Sequence, residues 1–249
     1  MIEKSGDART EEMRHRLAVV KQRIAVAQQH REVDEAATVE LIVVTKFFPA
    51  DDVRRLLHLG VTHMGENRDQ EAALKAREVP EATWHFIGQL QTNKTNSVVR
   101  YATSVHSVDR DSLVTALGKS VRHHRGAVES GQHQPGPSAE RDLECLIQVS
   151  LDGLVGRGGA LPQDVERIAS AVVAEEGLRL RGVMAVAPLN MDPNMAFKRL
   201  YECAQVVRSI HPNADQISAG MSGDLEAAIR WGSTHVRVGS GILGARPVG

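Results

Sequence analysis

The sequence predicts an α/β fold, a single (β/α)8 TIM barrel preceded by one extra helix. Three observations carry that expectation. Eight short apolar runs alternate with helical patterns along the chain. The length of 249 residues suits one such barrel. Polar and glycine residues gather just after the apolar runs, where a parallel barrel carries its chemistry. An open doubly wound sheet is the alternative reading of the same alternation.

The first element, about Thr10 to Arg31, places Met13, Leu17, Val20 and Ile24 at spacings of three and four, as in an amphipathic helix. The run Glu40-Leu-Ile-Val-Val-Thr45-Lys46 follows. It is short and β-branched, and reads as a strand buried on both faces. Further strands are expected at 61–65, 84–88, 104–108, 143–150, 179–187, 215–219 and 235–239. Helices are expected at 51–59, 68–77, 109–123, 162–176, 193–210 and 225–231. Residues 1–9 are expected to be disordered. The Gly-, Pro- and Ser-rich stretch 125–140 is expected to be a mobile surface loop within one domain spanning 1–249, and 153–159 to be the loop after the fifth strand.

Composition excludes several classes. The net charge of −1 lacks the clustered basic surface of a nucleic-acid binder, and 3% aromatic content supplies no stacking platform. No apolar run is long enough for a membrane span, and the charged N-terminus is not a secretory signal, so a cytoplasmic protein is expected. Cys145 and Cys203 form no C-x-x-C or zinc pattern and read as free, buried thiols. No metal-ligand spacing is present.

At the strand ends, Lys46 would stand in the barrel mouth. Partial desolvation there favours a neutral, nucleophilic amine able to form a Schiff base; the competing reading is a lysine snorkelling to solvent. The seventh and eighth strands lead into Ser218-Ala-Gly-Met221-Ser222-Gly and Gly239-Ser240-Gly241. These are the two loops that usually form a barrel's phosphate site. Ser222 reads equally as a helix N-cap. Gly239 to Gly244 matches G-x-G-x-x-G, but the five residues after it leave no room for the rest of a dinucleotide fold. Arg237 shares a strand face with Gly239, and its partner is either a ligand acceptor or a carboxylate such as Glu66. His85 reads as a satisfied core histidine rather than a ligand or base, and His123 and His124 as solvated.

The stretches VTKFFPADDVRRLLHLG, HMGENRDQE, WHFIGQLQTNK, SVHSVDR, LRLRGVMAVAP and SAGMSGDLEAAIRWGSTHVRVGSGILGAR cover nearly the whole chain from Leu41 to Arg246. Together they resemble the YggS/PROSC family of pyridoxal phosphate homeostasis proteins. The resemblance implies a fold-type III barrel, like the N-terminal domain of alanine racemase, that binds pyridoxal 5′-phosphate (PLP). It implies a Schiff-base lysine at Lys46, a pyridine-nitrogen arginine at Arg237 and phosphate contacts at Ser218, Ser222, Gly239 and Ser240. Asn67 and Met221 fall near the cofactor ring. The sequence departs from the family pattern at Arg68, at Ser240, across 150–159 and in the length of 125–140.

The implied role is a carrier that buffers PLP for vitamin B6 homeostasis and hands it to apo-enzymes, with no catalytic residue of its own. A weak amino-acid racemase is the alternative. Racemisation needs two bases on opposite faces of Cα. Tyr101 and Tyr201 fall outside the strand-end motifs, no β-domain follows, and His85 or Lys94 would have to serve. A monomer is expected, since the second-domain dimer apparatus is absent.

Overall fold

The computed structural model describes residues 7–33, 38–153 and 158–245. Eight parallel strands close into one barrel in sequential order: β1 (Glu40–Val44), β2 (His63–Glu66), β3 (Thr83–Phe86), β4 (Ala102–Val108), β5 (Leu143–Gln148), β6 (Leu178–Met184), β7 (Gln216–Ser218) and β8 (His235–Val238). Closure is made by β1 pairing with β8, with Ile42 opposite Arg237 and Val43 opposite Val238. The open-sheet alternative is thereby removed.

The helices are α1 (Ala8–Gln28), α2 (Ala50–His58), α3 (Asp69–Glu78), α4 (Thr95–Val98), α5 (Asp111–Glu129), α6 (Pro137–Glu140), α7 (Val165–Ala174), α8 (Pro193–Ile210), α9 (Leu225–Arg230) and α10 (Ser240–Leu243). The predicted apolar face of α1 is buried through Met13, Leu17, Val20 and Ile24. It packs on α9 and α10. Each such side chain contributes roughly 1.5–3 kcal/mol by leaving water. Asp7 caps α1 by accepting from the Thr10 N–H at 2.8 Å.

Strand periodicity divides the interior into two layers. Val43, Cys145, Ile147 and Val183 belong to the continuous apolar cluster, whereas their buried neighbours Ile42, Val44, Leu146 and Met184 lie outside it. Successive residues of a strand point to opposite faces, so the second set fills the barrel. His63, His85, His106, Ser218, His235 and Arg237 join it there, which makes the barrel interior strongly polar.

Three expectations change. Of residues 1–9, positions 1–6 lie outside the described residues, while Asp7 to Arg9 are an ordered cap and the start of α1. The segment 125–140 is not loop throughout. α5 runs on to Glu129 and α6 forms at 137–140, because Arg125 donates to the Ser138 carbonyl and to Asp142, and the buried Ser138 hydroxyl donates to the Val99 carbonyl. His124 is buried beside His133 rather than solvated, with 3.3 Å between their Nδ1 atoms. Of 153–159, positions 154–157 lie outside the described residues. Cys145 and Cys203 are free and buried, and burial pushes the Cys203 thiol up to about 11. No described helix is long and apolar enough to cross a membrane.

Candidate functional site

The loops after β1, β2, β7 and β8 meet at the C-terminal mouth of the barrel. Lys46 is half-buried two residues beyond β1, and its Nζ stands 5.9 Å from the Phe47 ring. Phe47 has φ +71, a left-handed conformation that is rare for a bulky side chain and costs about 1–3 kcal/mol. A buried ionic network supports that turn from both sides of Lys46. Lys75 on α3 donates to the Thr45 carbonyl at 2.8 Å, to Glu66 Oε1 at 2.8 Å and to Glu71 Oε1 at 2.7 Å. Glu71 in turn accepts from the Phe47 N–H at 2.7 Å, and Glu66 accepts from the Thr45 hydroxyl at 2.6 Å. Residues 45 and 47 are thus pinned by one cation and two carboxylates, which fixes the direction in which Lys46 leaves the strand. Burial raises the Glu66 carboxyl above its ordinary value, against the opposing pull of Lys75.

Sequence reasoning missed this network. Its signal was present as the (i, i+4) pair Glu71 and Lys75 on one helix face. What the sequence could not show is that Glu66, at the end of β2, points outward to meet them. Glu66 is therefore not the partner of Arg237.

The actual partners of Arg237 are barrel groups. Its Nη1 donates to both the carbonyl and the hydroxyl oxygen of Ser218 at 2.7 Å, and its Nη2 donates to the Ala185 carbonyl at 2.9 Å. An Nε–H and one Nη2 hydrogen are not used by these three bonds. Burial lowers the guanidinium to about 10, against a weaker opposing pull from the Asp224 carboxylate. Ser218 is fully buried, and its hydroxyl also lies 3.0 Å from His106 Nδ1.

The two glycine loops touch. The Gly241 N–H donates to Ser222 Oγ at 3.3 Å, and a Cβ at Gly241 would lie 3.1 Å from that oxygen. Ser222 does not cap α9, whose N-cap is Asp224; Asp224 Oδ1 instead accepts from the Met221 N–H at 2.6 Å. Arg23 of α1 holds the loop from outside, donating to the Ser222 carbonyl at 3.0 Å while paired with Glu226. Gly239 packs against the end of β1, where a Cβ would come within 3.2 Å of the Val44 carbonyl. The phosphate-type loops and Lys46 are therefore brought together by the β1–β8 seam. Ser240 and Met221 are exposed at this mouth, and Gly239 and Ser222 are half-buried.

Asn67 follows β2 on the same side, and its Oδ1 is buried without a hydrogen-bond partner. Gly88 abuts it so closely that a Cβ would overlap the Asn67 carbonyl. Arg68 lies with its guanidinium 5.2 Å from the Phe47 ring, on the rim beside Lys46. Tyr101 donates to Asp69 and Tyr201 lies on α8. His85 is a buried, bonded histidine, as its apolar setting suggested. Among the described residues no group of three or more His, Cys, Asp or Glu could hold a metal ion.

These residues suit PLP on grounds internal to the chain. An amine, a cradle of glycine N–H and serine hydroxyls, and an arginine share one mouth, and they match an aldehyde, a phosphate and a pyridine nitrogen. The buried Asn67 oxygen without a partner is a further polar group at that mouth.

Comparison with known proteins agrees with this geometry. The family described as alanine racemase, N-terminal domain, matches residues 12–247. The pyridoxal phosphate homeostasis protein of Mycobacterium bovis is 42% identical over an alignment 255 positions long, covering 96% of this chain and 94% of that protein. The protein of the same name from Corynebacterium glutamicum is 43% identical over 85% of this chain and 92% of its own length. Among solved structures, PipY of Synechococcus elongatus with PLP bound superposes with a TM-score of 0.74 at 28% identity, covering 93% of this chain and all of that one. Alanine racemase of Corynebacterium glutamicum shares the barrel alone, with a TM-score of 0.67 at 13% identity over 62% of its chain. The chain belongs to the family of pyridoxal phosphate homeostasis proteins, built on the barrel of the alanine racemase N-terminal domain.

Proposed function

We propose that this protein binds PLP at the barrel mouth and serves as an intracellular carrier that buffers the cofactor and passes it to apo-enzymes. The observation that carries the reading is the seam between β1 and β8, where Gly239 packs against Val44, two residues before Lys46, and Gly241 meets Ser222. PLP supplies an aldehyde that condenses with an amine, and Lys46 is the amine that would hold it. Ser222, Gly239 and Ser240 would receive the phosphate, Arg237 with Ser218 would face the pyridine nitrogen, and Asn67 and Met221 would flank the ring. The solved relative PipY with PLP bound supports the cofactor, and the names of the curated relatives support homeostasis over catalysis. A guanidinium facing the pyridine nitrogen disfavours its protonation and weakens the electron sink that racemisation needs. With Tyr101 committed to Asp69 and Tyr201 on α8, neither tyrosine stands as a second base. The protein works as a cytoplasmic monomer folded as one unit.

The test is spectroscopic. Purified protein titrated with PLP should develop a visible absorption band, and borohydride should fix the label on the peptide containing Lys46. Lys46→Ala should lose both band and label while keeping its thermal transition. A label on another lysine would overturn the assignment. Ser222→Ala should weaken PLP binding about tenfold or more, the worth of one hydrogen bond to a charged group. An unchanged Kd would remove Ser222 from the phosphate site. Incubation of the holo-protein with L-amino acids in D₂O should leave Cα undeuterated; exchange would favour the racemase.

A further inference from the structure

A line of imidazoles crosses the barrel interior from floor to mouth. His63 opens β2 at the floor and is half-buried. Its Nδ1 lies 2.8 Å from His85 Nε2 on β3; His85 Nδ1 lies 3.0 Å from His106 Nε2 on β4; His106 Nδ1 lies 3.0 Å from Ser218 Oγ on β7. β4 and β7 are not neighbours in the sheet, so the last contact spans the lumen. Arg237 completes the line through Ser218.

The hydrogens of this line follow from one fixed end. Arg237 always donates to Ser218 Oγ, so the serine's own hydrogen satisfies both partners when it points to His106 Nδ1. His106 is then the Nε2–H tautomer and donates to His85 Nδ1. His85 is likewise Nε2–H and donates to His63 Nδ1. No buried polar hydrogen is left without an acceptor. Burial holds His85 and His106 well below the ordinary histidine range, so both are neutral, as this pattern requires.

We propose that His63, His85 and His106 form a positioning relay for Arg237, through which the protonation of the barrel floor sets the direction of the Ser218 hydroxyl at the mouth. One proton taken up by His63 adds an N–H at Nδ1, facing the His85 Nε2–H. Two donors cannot share that contact. His85 and His106, each still neutral, exchange Nε2–H for Nδ1–H, and His106 then donates to Ser218 Oγ. The serine hydrogen loses its acceptor and turns away, and the seat of Arg237 is altered. The proton stays on His63.

The charged and titratable groups around His63 are Lys21 of α1, Glu40 of β1 and Arg181 of β6, with the neutral His85 of β3 and His235 of β8 across the floor. A variant of His63 alone keeps all of them, so its difference from the parent isolates the relay. The consequence for the cofactor rests on the proposed PLP site; the tautomers do not.

Two measurements test it. Histidine ¹⁵N NMR of the apo-protein should show His85 and His106 as Nε2–H tautomers at pH 8 and as Nδ1–H tautomers at pH 6. Tautomers that stay the same at both pH values, or His106 as Nδ1–H at pH 8, overturn the relay. In His63→Asn the amide oxygen replaces Nδ1 as an acceptor that does not titrate. Between pH 8 and pH 6 the parent should lose about tenfold more PLP affinity than His63→Asn, the scale of one buried hydrogen bond. Parallel profiles, in variants with matching thermal transitions, also overturn it. Should PLP fail to bind at any pH, the proposed function falls, and the NMR result alone decides the relay.

Discussion

Lys75→Met is expected to cost the fold about 3–5 kcal/mol, the range for removing one partner of a buried ion pair. The side chains of Lys75 and Glu66 are 7% and 1% exposed, so no water replaces the lost ammonium. Glu66 Oε2 already lacks a partner, and Oε1 would keep only the Thr45 hydroxyl. Glu66 escapes the penalty only by taking a proton. Its folded pKa lies above the unfolded value, because burial outweighs the pull of Lys75. Its favourable contribution is therefore present at low pH and lost as pH rises through the folded value. The deficit of Lys75→Met should be larger at pH 8 than at pH 5.5. Adding Glu66→Gln removes the charge that suffers, and should recover more than half of the loss. Denaturant unfolding of the two variants at both pH values checks this; equal midpoints for single and double variant would sink it. The turn at Phe47 should loosen too, so the single variant should bind PLP more weakly than its stability alone implies.

The second large effect is acid lability. His85 and His106 are buried and held neutral, and burial lowers His235 to about 4. The unfolded chain takes up protons at these residues below the ordinary value of 6.5, whereas the native barrel does not. Their contribution is complete above pH 6.5 and is lost as pH falls towards the depressed folded values. Each such histidine approaches about 1.4 kcal/mol per pH unit. His85 and His106 together should remove about 2 kcal/mol between pH 6.5 and 5.5, with His235 adding to the slope. Unfolding free energies across that range test the prediction. A flat profile would mean that the imidazoles titrate in the native state. His85→Asn should reduce the slope by about one histidine's share.

Much of the architecture could be read from residue patterns. The β-branched run at 40–46, the α1 spacing of Met13, Leu17, Val20 and Ile24, and the regular alternation all reappear in the barrel. Boundaries drifted where tertiary contacts decide them, as at 125–140, where Arg125 and Ser138 draw a Gly- and Pro-rich stretch onto α5. The candidate site was legible as chain positions. Lys46, Ser222, Gly239 and Ser240 stand at strand ends, and strand ends of a parallel barrel share one face.

The sequence by itself determined the period of each element, the parallel α/β class and the residues that crowd the mouth. Those depend on local propensity and on alternation, which are properties of neighbours in the chain. Only the tertiary structure decided that Glu66 turns out to Lys75 while Arg237 turns in to Ser218, and that His63, His85 and His106 align into one line. Hydrogen-bond partners on different strands are set by register and by the closure of the barrel. A buried polar group takes whichever partner that closure brings within reach, since the cost of leaving it unpaired exceeds any local preference.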